Sequence, residues 1–260
     1  MAGQPFYRFS RCPRCGHREL PAEQSLPAAC PACGVILAKL APLRPSARPA
    51  QAAPSSGSGR LAEGAARLLQ LPERVDPLRW GLRAALLLVL ALWGLALLRM
   101  DHRSGEIGGS FLHGPLLLFH EAGHLLFRPF GEWMAVLGGT LGQLLMPAVI
   151  VAAFLLKNRD PFGAAIGLWL LGVSLLDVAP YVHDALAPSL VLLSGETGEA
   201  GGHDWIYLLS SMGLLERAPL LGAFVHRLGA LVVLTALGWA MWLMRREWRR
   251  IAQADSLDRL

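Results

Sequence analysis

The run WMAVLGGTLGQLLMPAVIVAAFLL, residues 133–156, contains no charged side chain over 24 positions. A helix needs about 20 mostly apolar residues to cross a bilayer, and inside lipid a helix satisfies its own backbone hydrogen bonds. Of the whole chain, 53% of residues are hydrophobic and only 17% are charged, which is too few to cover a soluble domain. The run therefore predicts a transmembrane helix, and the composition predicts an all-α polytopic membrane bundle.

Four further apolar runs predict the rest of a membrane domain that extends over residues 78–245. They are residues 80–98, 110–130, 161–182 and 219–244. Five spans place the two ends of the domain on opposite sides, whereas the basic flanks at Arg79 and at 245–250 both favour the cytoplasm. A sixth crossing built from residues 185–217 would reconcile them, so we expect five or six transmembrane helices.

The net charge of +5 belongs to the membrane anchor rather than to a nucleic-acid interface. Arginines lie mainly in the N-terminal region and at the ends of apolar runs, where they orient spans and meet anionic lipid head groups. We predict a basic C-terminal tail at 246–260, a lipid bilayer as partner and no nucleic acid.

Two CxxC pairs define a small module at residues 6–40. One glycine follows the pair Cys12 and Cys15, and another follows the pair Cys30 and Cys33. Four thiolates at this spacing are typical of a tetrahedral structural zinc site, so the module is predicted to be a zinc ribbon that either binds a cytosolic partner or packs on the membrane domain. The alternatives are two disulfides or a redox dithiol, and a cytosolic location disfavours the disulfides.

The organisation of the remaining chain follows from composition. Residues 41–60 are rich in Pro, Ala, Ser and Gly and predict a disordered linker, and a short surface helix could follow at about 60–71. No signal-peptide core precedes residue 80, so the ribbon is expected in the cytosol. We expect a multi-pass protein of a bacterial-type cytoplasmic membrane.

The segment His120-Glu121-Ala122-Gly123-His124 is an HExxH motif within an apolar run. On a helix the two histidines share one face and can bind one zinc ion, and Glu121 can take a proton from an attacking water. An ionisable group inside a membrane helix costs at least about 2.5 kcal/mol, which a metal partner offsets. The alternative is a polar cluster that packs helices.

A third zinc ligand is expected from later in the chain. Asp177 and Asp184 lie at the end of the fourth span, around a proline, and either could instead be solvated at the interface. The polar cluster at 201–205 is expected to be an interfacial loop, with His203 at its surface. His113, His183 and His226 are expected to pack or to lie at the interface.

These residues resemble the site-2 protease family of intramembrane zinc metalloproteases. The HExxH motif at 120–124 matches completely, the segment 138–143 matches the second family motif with Thr140 for Pro and Gln143 for Asn, and 177–184 matches the third loosely. The resemblance implies a catalytic zinc held by His120, His124 and Asp184, with Glu121 as general base and Gln143 as a substrate-contacting group. Asp177 competes for the third position.

The expected function is hydrolysis of a peptide bond in or near a transmembrane segment of a membrane-protein substrate. Two zinc ions, one catalytic and one structural, are expected. The backbone at Gly138 and Gly139 could offer an edge for the extended substrate. The main rival is a membrane-anchored ribbon adaptor with a structural metal site, and a metal or ion transporter is a second rival.

Overall fold

A computed structural model describes residues 9–24, 28–37 and 76–257. The chain divides into two compact units, Met1–Arg60 and Leu61–Leu260, and each is described by itself. The linker predicted at 41–60 and the surface helix predicted at 60–71 lie outside the described residues.

The N-terminal unit is built on its two cysteine turns. The backbone amides of Gly16 and Gly34 each donate to the carbonyl of the first cysteine of their pair, at 2.9 and 2.8 Å. Both glycines have positive φ, 77° and 70°, which glycine adopts without strain. Cys12, Cys30 and Leu37 form the small core, and the one backbone bridge among the described residues of this unit joins Ala29 and Ile36.

The membrane unit consists of helices and connecting loops, with no strand among the described residues. Residues 76–257 form six α-helices: α1 Pro77–Arg99, α2 His113–Phe127, α3 Glu132–Ala153, α4 Pro161–Asp184, α5 Asp204–Ser211 and α6 Ala218–Leu257. The basic tail predicted at 246–260 is helical as far as Leu257, because α6 continues through it.

Local signals place the helix starts. Asp76 precedes Pro77 and its side chain accepts from the amide of Leu78, and Asp160 precedes Pro161 and accepts from the amide of Phe162. An acidic N-cap followed by proline is favourable because proline lacks the N–H that the first turn leaves unpaired.

Within the described residues, four helical segments are long and apolar enough to cross a membrane, rather than the five or six predicted. They are Pro77–Arg99, Glu132–Asn158, Pro161–Asp184 and Leu215–Gln253. The predicted span at 110–130 is wrong as a crossing, because α2 has only 15 residues and is about 22 Å long. The predicted sixth crossing at 185–217 is also absent from the structure, since its one α-helix, α5, has eight residues.

The helix ends show how four crossings are arranged. The indole of Trp80 donates to the carbonyl of Met244 at 3.0 Å, and Arg83 binds both Asp160 and Glu247 at 2.9 Å. The start of α1, the start of α4 and the end of α6 therefore lie together at one end of the bundle. The side chain of Glu247 in this pair is only 3% exposed.

The opposite end of the bundle contains the other termini. The ring of His102, just after α1, lies 5.5 Å from that of His183 in the last turn of α4 and 4.8 Å from that of His226 in α6. The indole of Trp133, at the start of α3, donates to Ser211 at the end of α5. Residues 100–131 thus leave this end and return to it, which is the course of a re-entrant segment rather than of a crossing.

Helix α4 is the centre of the bundle and the most buried of the four spans. Its Trp169, Val173 and Leu176 join Leu90 and Leu97 of α1 and Val233 of α6 in one core cluster. Gly172 lets the backbone of α6 approach, since a Cβ there would lie 2.7 Å from the amide nitrogen of Val233. Because α4 lies at the centre of the bundle, its C-terminal half can support a site.

Helix α2 packs on α3 through glycines. A Cβ on Gly123 would collide with the carbonyl of Gly138, and one on Gly142 would lie 2.5 Å from the carbonyl of Phe119. Small residues at a helix contact let two backbones approach closely within lipid. Gly138 and Gly139 are therefore buried helical residues of α3, which corrects the expectation that they offer an open edge.

We predict that Gly123→Ala destabilises the membrane unit by about 1–3 kcal/mol, the usual cost of overpacking. The new methyl group meets backbone atoms of α3, which cannot rotate away. The measurement is the thermal unfolding midpoint in detergent, where the variant should melt several degrees lower.

Gly114→Ala is the matched control, because it lies on the same helix and its Cβ meets nothing within 4 Å. Equal melting temperatures for the two variants would contradict the close packing of α2 on α3.

Candidate metal centre

The two histidines of the HExxH motif share one face of α2. Their ring centroids are 4.8 Å apart, His120 is buried at 6% exposure and His124 is half-buried. Two imidazoles on one tetrahedral zinc ion have ring centres about 5 Å apart, given a Zn–N distance of about 2 Å. The spacing predicted from the sequence is therefore compatible with a shared ion.

Asp204, the first residue of α5, supplies the third donor. Its Oδ2 lies 2.8 Å from Nε2 of His120 and 3.3 Å from Nε2 of His124. The ligand atoms of the three side chains all lie within 4.8 Å of one another. The set of two histidines and one carboxylate is a known zinc-binding combination that leaves a further position open.

The structure gives Asp204 the place for which Asp184 and Asp177 were expected to compete. Asp184 accepts hydrogen bonds from Ser189 and from the amide of Leu190, so it holds the loop that follows α4. Asp177 pairs with His113 at 2.9 Å and accepts from Gln143 at 2.8 Å. Neither belongs to the group of donors around His120 and His124.

The sequence marks the segment around Asp204 as polar, but it does not show that Asp204 is a metal donor. The cluster at 201–205 stands out as polar between apolar runs, and it was expected to lie at the surface. His203 is in fact 4% exposed and its ring packs 4.2 Å from that of Tyr181. Only the return of α5 over α2 brings Asp204 to the motif, more than 80 residues away in the chain.

The surroundings orient both imidazoles for a metal. Nδ1 of His124 lies 2.8 Å from the carbonyl oxygen of Ala135, and Nδ1 of His120 lies 3.2 Å from Oε1 of Gln143. Each oxygen accepts a hydrogen bond from Nδ1–H, so the Nε2 atoms face the donor group, where their lone pairs could bind a cation. Oxygen acceptors of this kind usually orient histidines that bind a metal.

Gly139 keeps open the space between the two Nε2 atoms. A Cβ at this position would lie 2.5 Å from Nε2 of His120 and 2.6 Å from Nε2 of His124. Only glycine therefore lets α3 approach the donor atoms this closely. The donor types, the oriented rings and this cradle together fit a zinc ion.

Asp204 is held in place by groups outside the donor set. Its amide donates to the hydroxyl of Tyr181 at 2.9 Å, and His203, the N-cap of α5, accepts from the amide of Ile206. Burial would raise the pKa of Asp204, but hydrogen bonds from His120 and His124 outweigh burial and hold that pKa below its usual value. Burial also lowers the pKa of His203, despite the carboxylate of Asp184. Asp204 is thus an anionic ligand beside neutral His203.

A cavity of about 600 Å³ opens beside the donors. Glu121 lines it, is exposed, and makes no hydrogen bond within the described part of the chain. Gln143 also lines the cavity, although its amide is occupied by His120 and Asp177. On the other side, the cavity is bounded by the loop at 190–194 and by Gly201 and Gly202.

The other histidines divide between the cavity and the bundle end. His113 lines the cavity and pairs with Asp177 at 2.9 Å. His183 and His226 lie beside His102 at the end of the bundle.

The four cysteines form a second candidate metal group. Sγ of Cys12 lies 3.8 Å from that of Cys33, and Sγ of Cys15 lies 3.7 Å from that of Cys30. A tetrahedral ZnS4 site with Zn–S of about 2.3 Å has sulfurs about 3.8 Å apart. A hydrogen bond from the backbone of Cys15 lowers the pKa of Cys12 to about 6, which favours the thiolate that binds metal. The group is able to hold a zinc ion, and the sulfurs are too far apart for disulfides.

Comparisons with known proteins give no relative: no protein-family model, curated protein or solved structure matches the chain. The chemistry of the site therefore has to be argued from its own geometry.

We predict that Asp204→Asn lowers the zinc content of the purified full-length protein from about two ions per chain to about one. The neutral amide is a much poorer ligand than a carboxylate, while the four cysteines keep their ion. Metal analysis of the detergent-purified protein measures the content directly.

Asp184→Asn and Asp177→Asn are the controls and should both retain about two ions, because neither side chain is in the donor group. Loss of zinc in Asp184→Asn with retention in Asp204→Asn would restore the ligand set expected from the sequence.

We also predict that Gln143→Leu weakens zinc binding at the histidine pair by about 10–100-fold, the usual effect of removing a group that hydrogen-bonds a metal ligand. The leucine cannot accept the hydrogen bond from Nδ1 of His120. Competition with a chelator measures the affinity. Thr140→Val, one turn away with a hydroxyl that has no partner among the described residues, should leave it unchanged. Equal affinities in both variants would refute the orienting contact.

Proposed function

We propose that this chain is an intramembrane zinc metalloprotease that hydrolyses a peptide bond in or near a transmembrane segment of another membrane protein. One observation carries the proposal: His120, His124 and Asp204 converge beside an exposed carboxylate, Glu121, in a cavity of a membrane-spanning unit. A structural metal site needs the three donors but has no use for the cavity or for Glu121.

His120, His124 and Asp204 would hold the catalytic zinc. When bound, zinc supplies Lewis acidity that polarises a carbonyl group and makes water a stronger acid. The chain's own contribution is orientation, because Ala135 and Gln143 hold the two imidazoles and Tyr181 holds the backbone of Asp204. The donors lie on α2 and α5, so the site is complete only when α5 packs over α2.

Glu121 is proposed as the general base and acid. It follows His120 directly, so it points to the flank of the donor face and into the cavity. An exposed carboxylate without a fixed partner can accept a proton from the attacking water and later donate it to the leaving amine. A glutamate engaged in an ion pair could not do both.

The cavity also favours a peptide as substrate. Its rim at 190–194 is a turn in which the amide of Leu192 donates to the carbonyl of Glu196, and Val191 bridges Thr197. Val191 and Leu193 are 72% and 68% exposed, so apolar side chains flank the bridge between Val191 and Thr197. An unwound transmembrane segment could pair with the backbone at this bridge by strand addition, a role first expected of Gly138 and Gly139.

The family resemblance supports the same reading. The complete HExxH motif lies on a membrane-embedded helix, as in site-2 proteases, whereas the third ligand comes from a later position than the one that resemblance implies. We propose a divergent enzyme of this type in which α5 supplies the carboxylate. The four-cysteine ribbon would hold a structural zinc and recruit a cytosolic partner.

The rival proposal is an adaptor, in which the ribbon binds a partner and the membrane unit is an anchor with structural zinc. The separation of the ribbon into its own compact unit favours this reading. It makes no demand on Glu121, whereas the protease proposal depends on that side chain.

We predict that Glu121→Gln lowers proteolysis by at least about 100-fold, since general acid–base groups contribute about 10²–10⁴-fold to rate. The amide keeps the volume of the side chain but cannot accept the proton. The measurement compares new protein termini in membranes of host cells that express the wild-type chain or the variant. Termini that appear only with wild-type identify substrates.

Glu132→Gln is the matched control, because Glu132 is an exposed carboxylate at the start of α3 that does not line the cavity. Both variants should keep about two zinc ions per chain. New termini at equal levels in wild-type and Glu121→Gln would reject the protease, and no wild-type-dependent termini would favour the adaptor.

A further inference from the structure

The two ends of the helix bundle differ in charge. We name them the basic end, at residues 76–83, 157–160 and 245–250, and the acidic end, at residues 99–106, 128–132 and 184–227. Contacts from Trp80 and Arg83 join the segments of the basic end, and contacts from His102 and Trp133 join those of the acidic end.

The basic end contains eight lysines or arginines and three carboxylates, whereas the acidic end contains five arginines and eight carboxylates. Three more arginines precede the basic end in the chain, at 60–75, within the distance over which flanking charges orient a span. Lysine and arginine are retained on the cytoplasmic side of a membrane. The charge distribution therefore orients the basic end toward the cytoplasm.

Four crossings make this orientation self-consistent. With five spans, the flank at Arg79 and the flank at 245–250 lie on opposite sides, so one of them violates the charge rule. With α2 re-entrant, both flanks lie at one end, where Arg83 and Glu247 join them directly. The short α2 thus removes the conflict that a sixth crossing was expected to resolve.

The cavity opens toward the other end. Its rim at 190–194, together with Gly201 and Gly202, belongs to the connection between α4 and α5, which lies within the acidic end. Asp204 begins α5 directly after this rim and is one of the proposed ligands. Access to the metal donors is therefore from the face opposite to the basic end.

We propose that the candidate metal centre opens on the non-cytoplasmic face of the membrane, and that its substrates are membrane proteins cut on the non-cytoplasmic side of a transmembrane segment. This inference rests on the proposed protease for its substrate class, but not for its orientation.

The test labels single added cysteines in intact host cells with a membrane-impermeant maleimide. Ser194→Cys lies on the exposed cavity rim, and Ala252→Cys lies on an exposed position beyond the basic end of α6. Ser194→Cys should be labelled in intact cells, and Ala252→Cys only after the membrane is permeabilised. The unaltered chain, which has only the four ribbon cysteines, gives the background before and after permeabilisation.

The reverse pattern would overturn the proposed orientation, and labelling of both positions, or of neither, in intact cells would overturn the four-crossing arrangement on which it rests. Labelling needs neither zinc nor cleavage, so this result stands apart from the Glu121→Gln comparison. If labelling is as expected but Glu121→Gln does not change the new protein termini, the orientation stands and the protease proposal is rejected.

Discussion

The contact of α2 with α3 at Gly123, Gly138 and Gly142 determines where the two histidines of the candidate metal centre lie relative to their partners on α3. A 15-residue helix is too short to cross the bilayer, so its position depends on a neighbour rather than on the membrane. Because the two backbones lie so close together, Ala135 of α3 reaches Nδ1 of His124 and Gln143 reaches Nδ1 of His120. The same approach requires glycine at 139, where any side chain would occupy the space between the donor atoms.

Near this contact, four polar side chains form one connected hydrogen-bond network. His113 binds Asp177, Asp177 binds Gln143, and Gln143 binds His120. Buried polar groups are costly unless they are paired, and in lipid no water is available to pair them. The network gives the buried carboxylate of Asp177 two partners, although Asp177 is not among the donors. It also assigns Asp184 to the loop after α4, where that carboxylate binds backbone amides.

Much of the architecture was readable from local pattern. Apolar runs at 80–98, 133–156, 161–182 and 219–244 correspond to the four spans, and the HExxH spacing places two histidines on one helix face. The prediction failed for 110–130, because hydropathy measures composition over a window whereas crossing depends on helix length. His113 begins the helix late and the turn at Arg128 ends it early, so a run of 21 apolar-rich positions yields only four turns.

The sequence by itself determined the membrane class of the protein, the cysteine group and the pair of histidines with Glu121, because each depends on residues within a few positions of one another. Only the tertiary structure decided the third donor, the number of crossings and the face on which the cavity opens. Asp204 lies 80 positions beyond His124, and no spacing rule connects them. Which carboxylate reaches a metal group across such a distance depends on how α5 folds back over α2, and that is a property of packing rather than of local sequence.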